Sequence, residues 1–277
     1  GRLLVRVVRG GQVLAQDEVV LRAPSTAELA RGVRIPVRVD SDPERVRGET
    51  GITFGVPFAA GTLWDVSRLG VVTEKGDPLP ARITPAARWY PDGSVRWVRL
   101  DTVSRPNHGN LFVCLDGLPS PQPSQPVVVE EKEDQTVEVR IGKTRYVLGR
   151  GGSPVQALYE DGALVMSAKD GQGLYVVDQN GRVGTATDAD LTIESRGPVE
   201  ATLRMAGPYR TSDGTELARY DVRLTFYAGE PQARIAHTFI VSQPTDRLWF
   251  REIGWEFGIP RALTAPRALF NADPVRW

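Results

Sequence analysis

Polar and apolar residues alternate along most of this chain, and that period of two decides what it can fold into. In 136–141, Val137, Val139 and Ile141 alternate with Thr136, Glu138 and Arg140. In 200–205, Ala201, Leu203 and Met205 alternate with Glu200, Thr202 and Arg204. In 219–226, Tyr220, Val222, Leu224 and Phe226 alternate with Arg219, Asp221, Arg223 and Thr225. A repeat of two sends successive side chains to opposite faces. These segments therefore read as half-buried antiparallel strands, with one face on a core and one in water.

The punctuation agrees. Asp92-Gly93, Asp116-Gly117, Asp161-Gly162, Asp170-Gly171, Asn180-Gly181 and Asp213-Gly214 separate the apolar runs. Such dipeptides tolerate positive φ and close hairpins. Short strands with frequent turn signals predict an all-β fold, a barrel or a sandwich. Helix signals are few. Ser25-Thr26-Ala27-Glu28 has capping-box spacing, but Gly32 limits it to one or two turns, and no long 3.6-residue period occurs.

The best internal boundary is Pro119-Ser120-Pro121-Gln122-Pro123-Ser124-Gln125-Pro126, because four prolines in eight residues favour extended, semi-rigid backbone over sheet. Residues 1–118 and 127–277 are read as two β units, and 119–126 as the linker. A chain of 277 residues is long enough for two cores. It begins directly in the strand-like Leu3-Leu4-Val5-Arg6-Val7-Val8 and stops at Trp277 without a polar tail, so it is read as a mature or trimmed piece of something longer.

Acids and bases cancel, 34 against 34, so no global field draws the chain to nucleic acid or to an anionic membrane. No apolar run reaches membrane-spanning length, and no signal peptide is seen. The single cysteine, Cys114, lies in Leu111-Phe112-Val113-Cys114-Leu115 and is read as a buried thiol. No metal or cofactor motif is complete. Asp178-Gln179-Asn180-Gly181 starts like a calcium loop but is out of register with one, so it reads as a polar turn. Gly149-Arg150-Gly151-Gly152 lacks the helix and Lys-Ser/Thr of a phosphate cradle and reads as a turn too.

The stretch Ala87-Arg88-Trp89-Tyr90-Pro91-Asp92-Gly93-Ser94-Val95-Arg96-Trp97 carries the candidate site. One reading is structural: Asp92-Gly93 closes a hairpin, Trp89 and Trp97 pack together across the strands, and Arg88 and Arg96 pair with acids such as Asp101. The other is a carbohydrate-binding platform, with sugar stacked on Trp89 or Trp97 and a uronate carboxylate gripped by Arg88 or Arg96. His108, in the loop Arg105–Asn110, is a further candidate of the second kind. His237 shares a strand face with Ile235, Phe239 and Val241 and reads as a hydrogen-bonded core histidine. No catalytic residue is assigned.

Three segments resemble a known family. Gly55-Val56-Pro57-Phe58-Ala59-Ala60-Gly61, then Leu63-Trp64-Asp65, then the Ala87–Trp97 stretch are similar to the N-terminal barrel of the rhamnogalacturonan exolyase (YetA-like) family. Downstream, Ser195-Arg196-Gly197-Pro198-Val199, the run Leu217–Tyr227 and Arg234-Ile235-Ala236-His237-Thr238-Phe239 resemble that family's central β-sandwich. The resemblance implies a RIFT-type β-barrel over 1–118 and an antiparallel β-sandwich over 127–277. It also implies a C-terminal α/α toroid that carries the lyase machinery, for which this chain has no helical sequence.

The resemblance therefore implies a non-catalytic β region of a secreted or cell-surface lyase-like protein. Its partners would be a C-terminal catalytic domain or an acidic polysaccharide. An alternative is a stand-alone structural or carbohydrate-binding β protein that self-associates through edge strands such as Leu3–Val8. A third is a small enzyme using Arg88, Arg96 or His108.

Overall fold

The computed structural model describes residues 2–9, 12–20, 34–39, 48–115, 118–169 and 172–260. Ser25–Glu28 and the Asp116-Gly117 and Asp170-Gly171 turns lie outside them. The chain divides into two compact units, 1–124 and 125–277. Among the described residues every ladder is antiparallel. Among the described residues the helical pieces are two 3-10 turns, Val66–Arg68 and Pro106–His108.

The described residues of the first unit form nine strands: β1 (Arg2–Arg9), β2 (Gln12–Val20), β3 (Ile35–Val37), β4 (Thr50–Pro57), β5 (Gly70–Thr73), β6 (Pro78–Leu79), β7 (Ala81–Arg88), β8 (Val95–Ser104) and β9 (Leu111–Cys114). β1 and β2 form their own hairpin, so one edge of the Leu3–Val8 strand is already taken. The rest make a four-stranded sheet, β3-β9-β5-β6, and a three-stranded sheet, β4-β8-β7.

One apolar cluster joins these two sheets. It includes Val56, Phe58, Val71, Val98, Leu100, Leu111 and Val113. Val98 and Leu100 of β8 point into it, and the residues between them face the other way. Cys114 is buried, as its apolar run predicts. Asp101 lies on the outer face of β8 and is nevertheless fully buried. Its Oδ1 accepts from Thr53 Oγ1 at 2.6 Å and from Arg99 Nε and Nη2 at 3.2 and 2.9 Å. Arg82 stands 3.7 Å from Oδ2. Asp101 thus pairs with Arg99 and Arg82, not with Arg88 or Arg96.

The second unit contains two sheets. A five-stranded meander runs β10 (Val127–Glu131), β11 (Val137–Ile141), β12 (Thr144–Leu148), β13 (Ala157–Glu160) and β14 (Ala163–Ser167). The second sheet uses β15 (Leu174–Asp178), β16 (Val183–Ala186), β17 (Asp190–Ser195), β18 (Glu200–Arg210), β19 (Glu216–Tyr227), β20 (Arg234–Ile240) and β21 (Phe250–Trp255). Their order is β20-β19-β18-β16-β15-β21, with β17 also paired to β18.

β11 and β19 bury the apolar sets that the alternation marks. β18 departs from it. Glu200 and Thr202 are buried along with Ala201 and Leu203. Hydrogen bonds explain how a carboxylate is tolerated there: Ser195 Oγ donates to Glu200 Oε2 at 2.8 Å, and Thr202 Oγ1 donates to Oε1.

Tyr146 stitches the two sheets. Its ring meets Phe226 of β19 edge-on, with centroids 5.0 Å apart. Its hydroxyl donates to the Pro231 carbonyl at 2.7 Å and accepts from Ala233 N at 3.1 Å. Burial pushes the Tyr146 phenol up to about 12, and does the same to Tyr220. An unfolded tyrosine releases its proton near pH ~10. Between that pH and 12 the folded chain therefore holds protons that the unfolded chain has lost, and stability falls as pH rises. Melting followed by circular dichroism should show full stability up to pH ~10 and a steep loss above it. Tyr146→Phe should reduce that loss and cost about 1–3 kcal/mol at neutral pH, because two backbone groups lose their partner. A flat wild-type profile across this alkaline window would contradict the burial of these phenols.

Candidate functional site

The β7–β8 hairpin does not close on a two-residue turn. β7 ends at Arg88 and β8 starts at Val95, which leaves 89–94 as the loop. Trp89 N donates to Ser94 O at 2.8 Å and Gly93 N to Trp89 O at 3.0 Å. Asp92 Oδ1 accepts from Ser94 N at 3.0 Å and from Ser94 Oγ at 2.9 Å. Gly93 sits at φ 73, which the Asp-Gly signal anticipates.

The register just below the loop is broken twice. Pro85 pairs with Val98, Ala87 with Trp97 and Arg88 with Val95, so Ala86 and Arg96 stand outside the ladder. An extra residue in a strand locally redirects its side chains. This undoes the expected tryptophan pair. Trp97 sits inside the ladder, opposite Ala87 and Pro57. Its indole covers Gly55, where a Cβ would fall only 2.2 Å from Nε1. Trp89 lies beyond the last pair and turns elsewhere: its Nε1 donates to Phe58 O at 2.9 Å.

Arg96, displaced from the ladder, lays its guanidinium over the Trp89 ring at 4.6 Å from the centroid. Among the described residues no carboxylate or carbonyl is hydrogen-bonded to the Arg96 side chain. Arg88 does not pair with an acid either; its Nη1 donates to Gly93 O at 2.8 Å and clamps the turn.

A second loop is tied to this one. Phe58 N donates to Arg96 O at 3.0 Å, and Val95 N to Leu63 O at 2.6 Å. The buried Ser94 hydroxyl accepts from Gly61 N at 2.9 Å. The result is a rim at one end of the β4-β8-β7 sheet. Tyr90 is 96% exposed there, Trp64 56% and Trp97 39%. The sequence reading named Arg88, Trp89, Arg96 and Trp97 but missed Trp64. The local signal lay in Trp64 standing just before Asp65, which caps the Val66–Arg68 turn through Ser67 N at 2.9 Å.

His108 is elsewhere. It follows Ser104, the last residue of β8, which lies about 26 Å along the strand from Arg96 at the usual rise. Its Nδ1 accepts from Arg105 N at 3.2 Å. Burial first, then the Arg105 charge, lowers its pKa. His237 is hydrogen-bonded as expected, with Nε2 2.9 Å from Tyr209 OH. It is not a core residue, however: β20 is the edge of its sheet, and His237 is exposed. Partial desolvation of the ring on the side that meets Tyr209 lowers its pKa.

The remaining motifs are structural. Asp178 is buried and accepts from Asn180 N and Arg182 N at 2.9 and 2.8 Å, which fixes the β15–β16 turn. Gly152 packs against the Ala186 carbonyl beside an open cavity of about 210 Å³. That is smaller than the pockets of ~300–1,000 Å³ that enclose ligands. Among the described residues no cluster of three or more His, Cys, Asp or Glu is placed to hold a metal, and no helix is long and apolar enough to cross a membrane.

Comparison with known proteins places these features. The PcRGLX-like N-terminal RIFT barrel domain matches residues 39–109, which include the rim. The PcRGLX-like protein central beta sandwich domain matches residues 127–267. The uncharacterized protein YetA of Bacillus subtilis (strain 168) is 25% identical over 226 residues, covering 76% of this chain. That match takes in 25% of the relative, so this chain spans about a quarter of its length.

The two histidines give a direct check on the geometry. Both should titrate below 6.5 when their ring protons are followed by NMR, and His108 should carry its neutral-form proton on Nε2, because Nδ1 is an acceptor. A value above 6.5 for His108 would mean that its ring is not desolvated as the structure places it.

Proposed function

Because the chain belongs to the PcRGLX-like family, with a RIFT-type barrel followed by a central β-sandwich, we propose that it is the substrate-contacting β region of an extracellular, rhamnogalacturonan-lyase-like protein. Bond cleavage belongs to a catalytic domain in the longer polypeptide. The barrel rim contacts acidic polysaccharide and helps present it.

One observation carries this reading: Arg96 is held over Trp89, and among the described residues no acid pairs with it. The Trp89 ring, 4.6 Å from the guanidinium carbon, holds Arg96 while the side chain stays exposed. A guanidinium edge matches a carboxylate in two parallel hydrogen bonds, and one that is already immobilised loses little entropy on binding. Exposed aromatics beside it offer apolar faces to sugar rings. The same geometry argues against lyase chemistry within this chain. Removing a proton next to a carboxylate needs a base beside the group that neutralises it. The candidate base, His108, lies at the other end of β8 from Arg96.

Binding of this chain to polygalacturonate, measured by titration calorimetry, should weaken as salt rises. Arg96→Gln should weaken it about 10- to 100-fold, the worth of a charge-assisted hydrogen bond at ~1.5–3 kcal/mol. Uncharged dextran should not compete. Equal affinity for the wild type and Arg96→Gln would remove the rim from the account.

A further inference from the structure

Trp64 and Arg96 flank the backbone bond that ties the two loops of the rim together. Leu63 O accepts from Val95 N at 2.6 Å, and Trp64 and Arg96 are the next residues on the two sides of that bond. The indole is not on a loose loop. Ahead of it, Gly61 is tied to Ser94 Oγ at 2.9 Å, and Thr62 Oγ1 donates to Ala59 O at 2.6 Å. Just before it, Leu63 is anchored in the core. Behind it, the Asp65 carboxylate accepts from Ser67 N at 2.9 Å and from Ser67 Oγ at 2.5 Å. Its ring edge lies over Gly61, where an added Cβ would stand 3.9 Å from Cη2.

Between these anchors the side chain stays 56% exposed. A large aromatic held rigidly in water forgoes about 25 cal/mol for each Å² that burial would have covered. Such a residue next to a held cation that pairs with no acid among the described residues fits an anionic ligand with apolar faces.

We infer that Trp64 is the second ligand-contacting residue of the rim, stacking on the sugar ring adjacent to the one whose carboxylate Arg96 grips. This rests on the reading of Arg96 given above. It makes the rim a site for at least two consecutive sugar units, and it makes Ser94 a positioning residue, since its hydroxyl joins the Trp64 loop to the Arg96 hairpin.

The test titrates tetragalacturonate into the wild-type chain and into Trp64→Ala, Trp64→Phe and Arg96→Gln, by calorimetry and by tryptophan fluorescence. Circular dichroism checks that each variant is folded. Trp64→Ala should weaken binding about tenfold, the worth of one aromatic stack at ~1.4 kcal/mol. It should also remove most of the fluorescence change, and Trp64→Phe should recover most of the affinity. Wild-type affinity in Trp64→Ala, alongside a large loss in Arg96→Gln, would overturn the role of Trp64 and leave the Arg96 reading standing. No binding by the wild type, or none of the loss in Arg96→Gln, would overturn both.

Discussion

The rim depends on one hydrogen bond, from the Trp89 indole to the carbonyl of Phe58. Phe58 is buried in the core of the first unit, so its carbonyl needs a donor, and an unmet acceptor there would cost about 1–3 kcal/mol. Meeting that need turns the Trp89 ring towards β4 and away from Trp97. The ring then becomes a fixed surface for the Arg96 guanidinium, which the broken register has pushed out of the ladder. A requirement of core chemistry thus creates an immobilised surface cation.

β8 links this rim to the rest of the barrel. It is the central strand of its sheet and runs from Val95 at the rim to Ser104 beside the His108 turn. Its inner face supplies Val98 and Leu100 to the core, and its outer face carries Trp97, Arg99 and the buried Asp101. The Asp101 cluster holds the three strands together through Thr53 of β4 and Arg82 of β7. Arginines on this sheet therefore divide by position: Arg99 and Arg82 pair with Asp101, Arg88 with the turn, and Arg96, among the described residues, with an aromatic ring.

Much of the fold was legible because alternation and turn chemistry are local. The apolar sets of β11 and β19 are the buried sets, and Asp92-Gly93, Asp161-Gly162, Asn180-Gly181 and Asp213-Gly214 each mark a hairpin. What a period of two leaves out is the neighbour. It assigns His237 to a core face, but β20 is an edge strand and that position stays exposed. It marks Glu200 as polar and outward, but a hydroxyl from Ser195 on β17 and one from Thr202 let it be buried. It pairs Trp89 with Trp97 on the assumption of an unbroken ladder, and the extra residues Ala86 and Arg96 cancel that assumption. Trp64 was missed for the same reason: only the bonds from Val95 to Leu63 and from Gly61 to Ser94 bring its loop to the hairpin.

The central claim is that Arg96, stacked on Trp89, is the carboxylate-binding group. The most direct measurement is an NMR titration of the arginine Nε–H and tryptophan indole N–H signals with tetragalacturonate. The account predicts a shift and slowed solvent exchange at Arg96 Nε–H. The Trp89 indole N–H, already bonded to Phe58, should stay protected from solvent with or without ligand. Shifts confined to arginines away from the rim, or a Trp89 indole that exchanges freely in the unliganded chain, would contradict it.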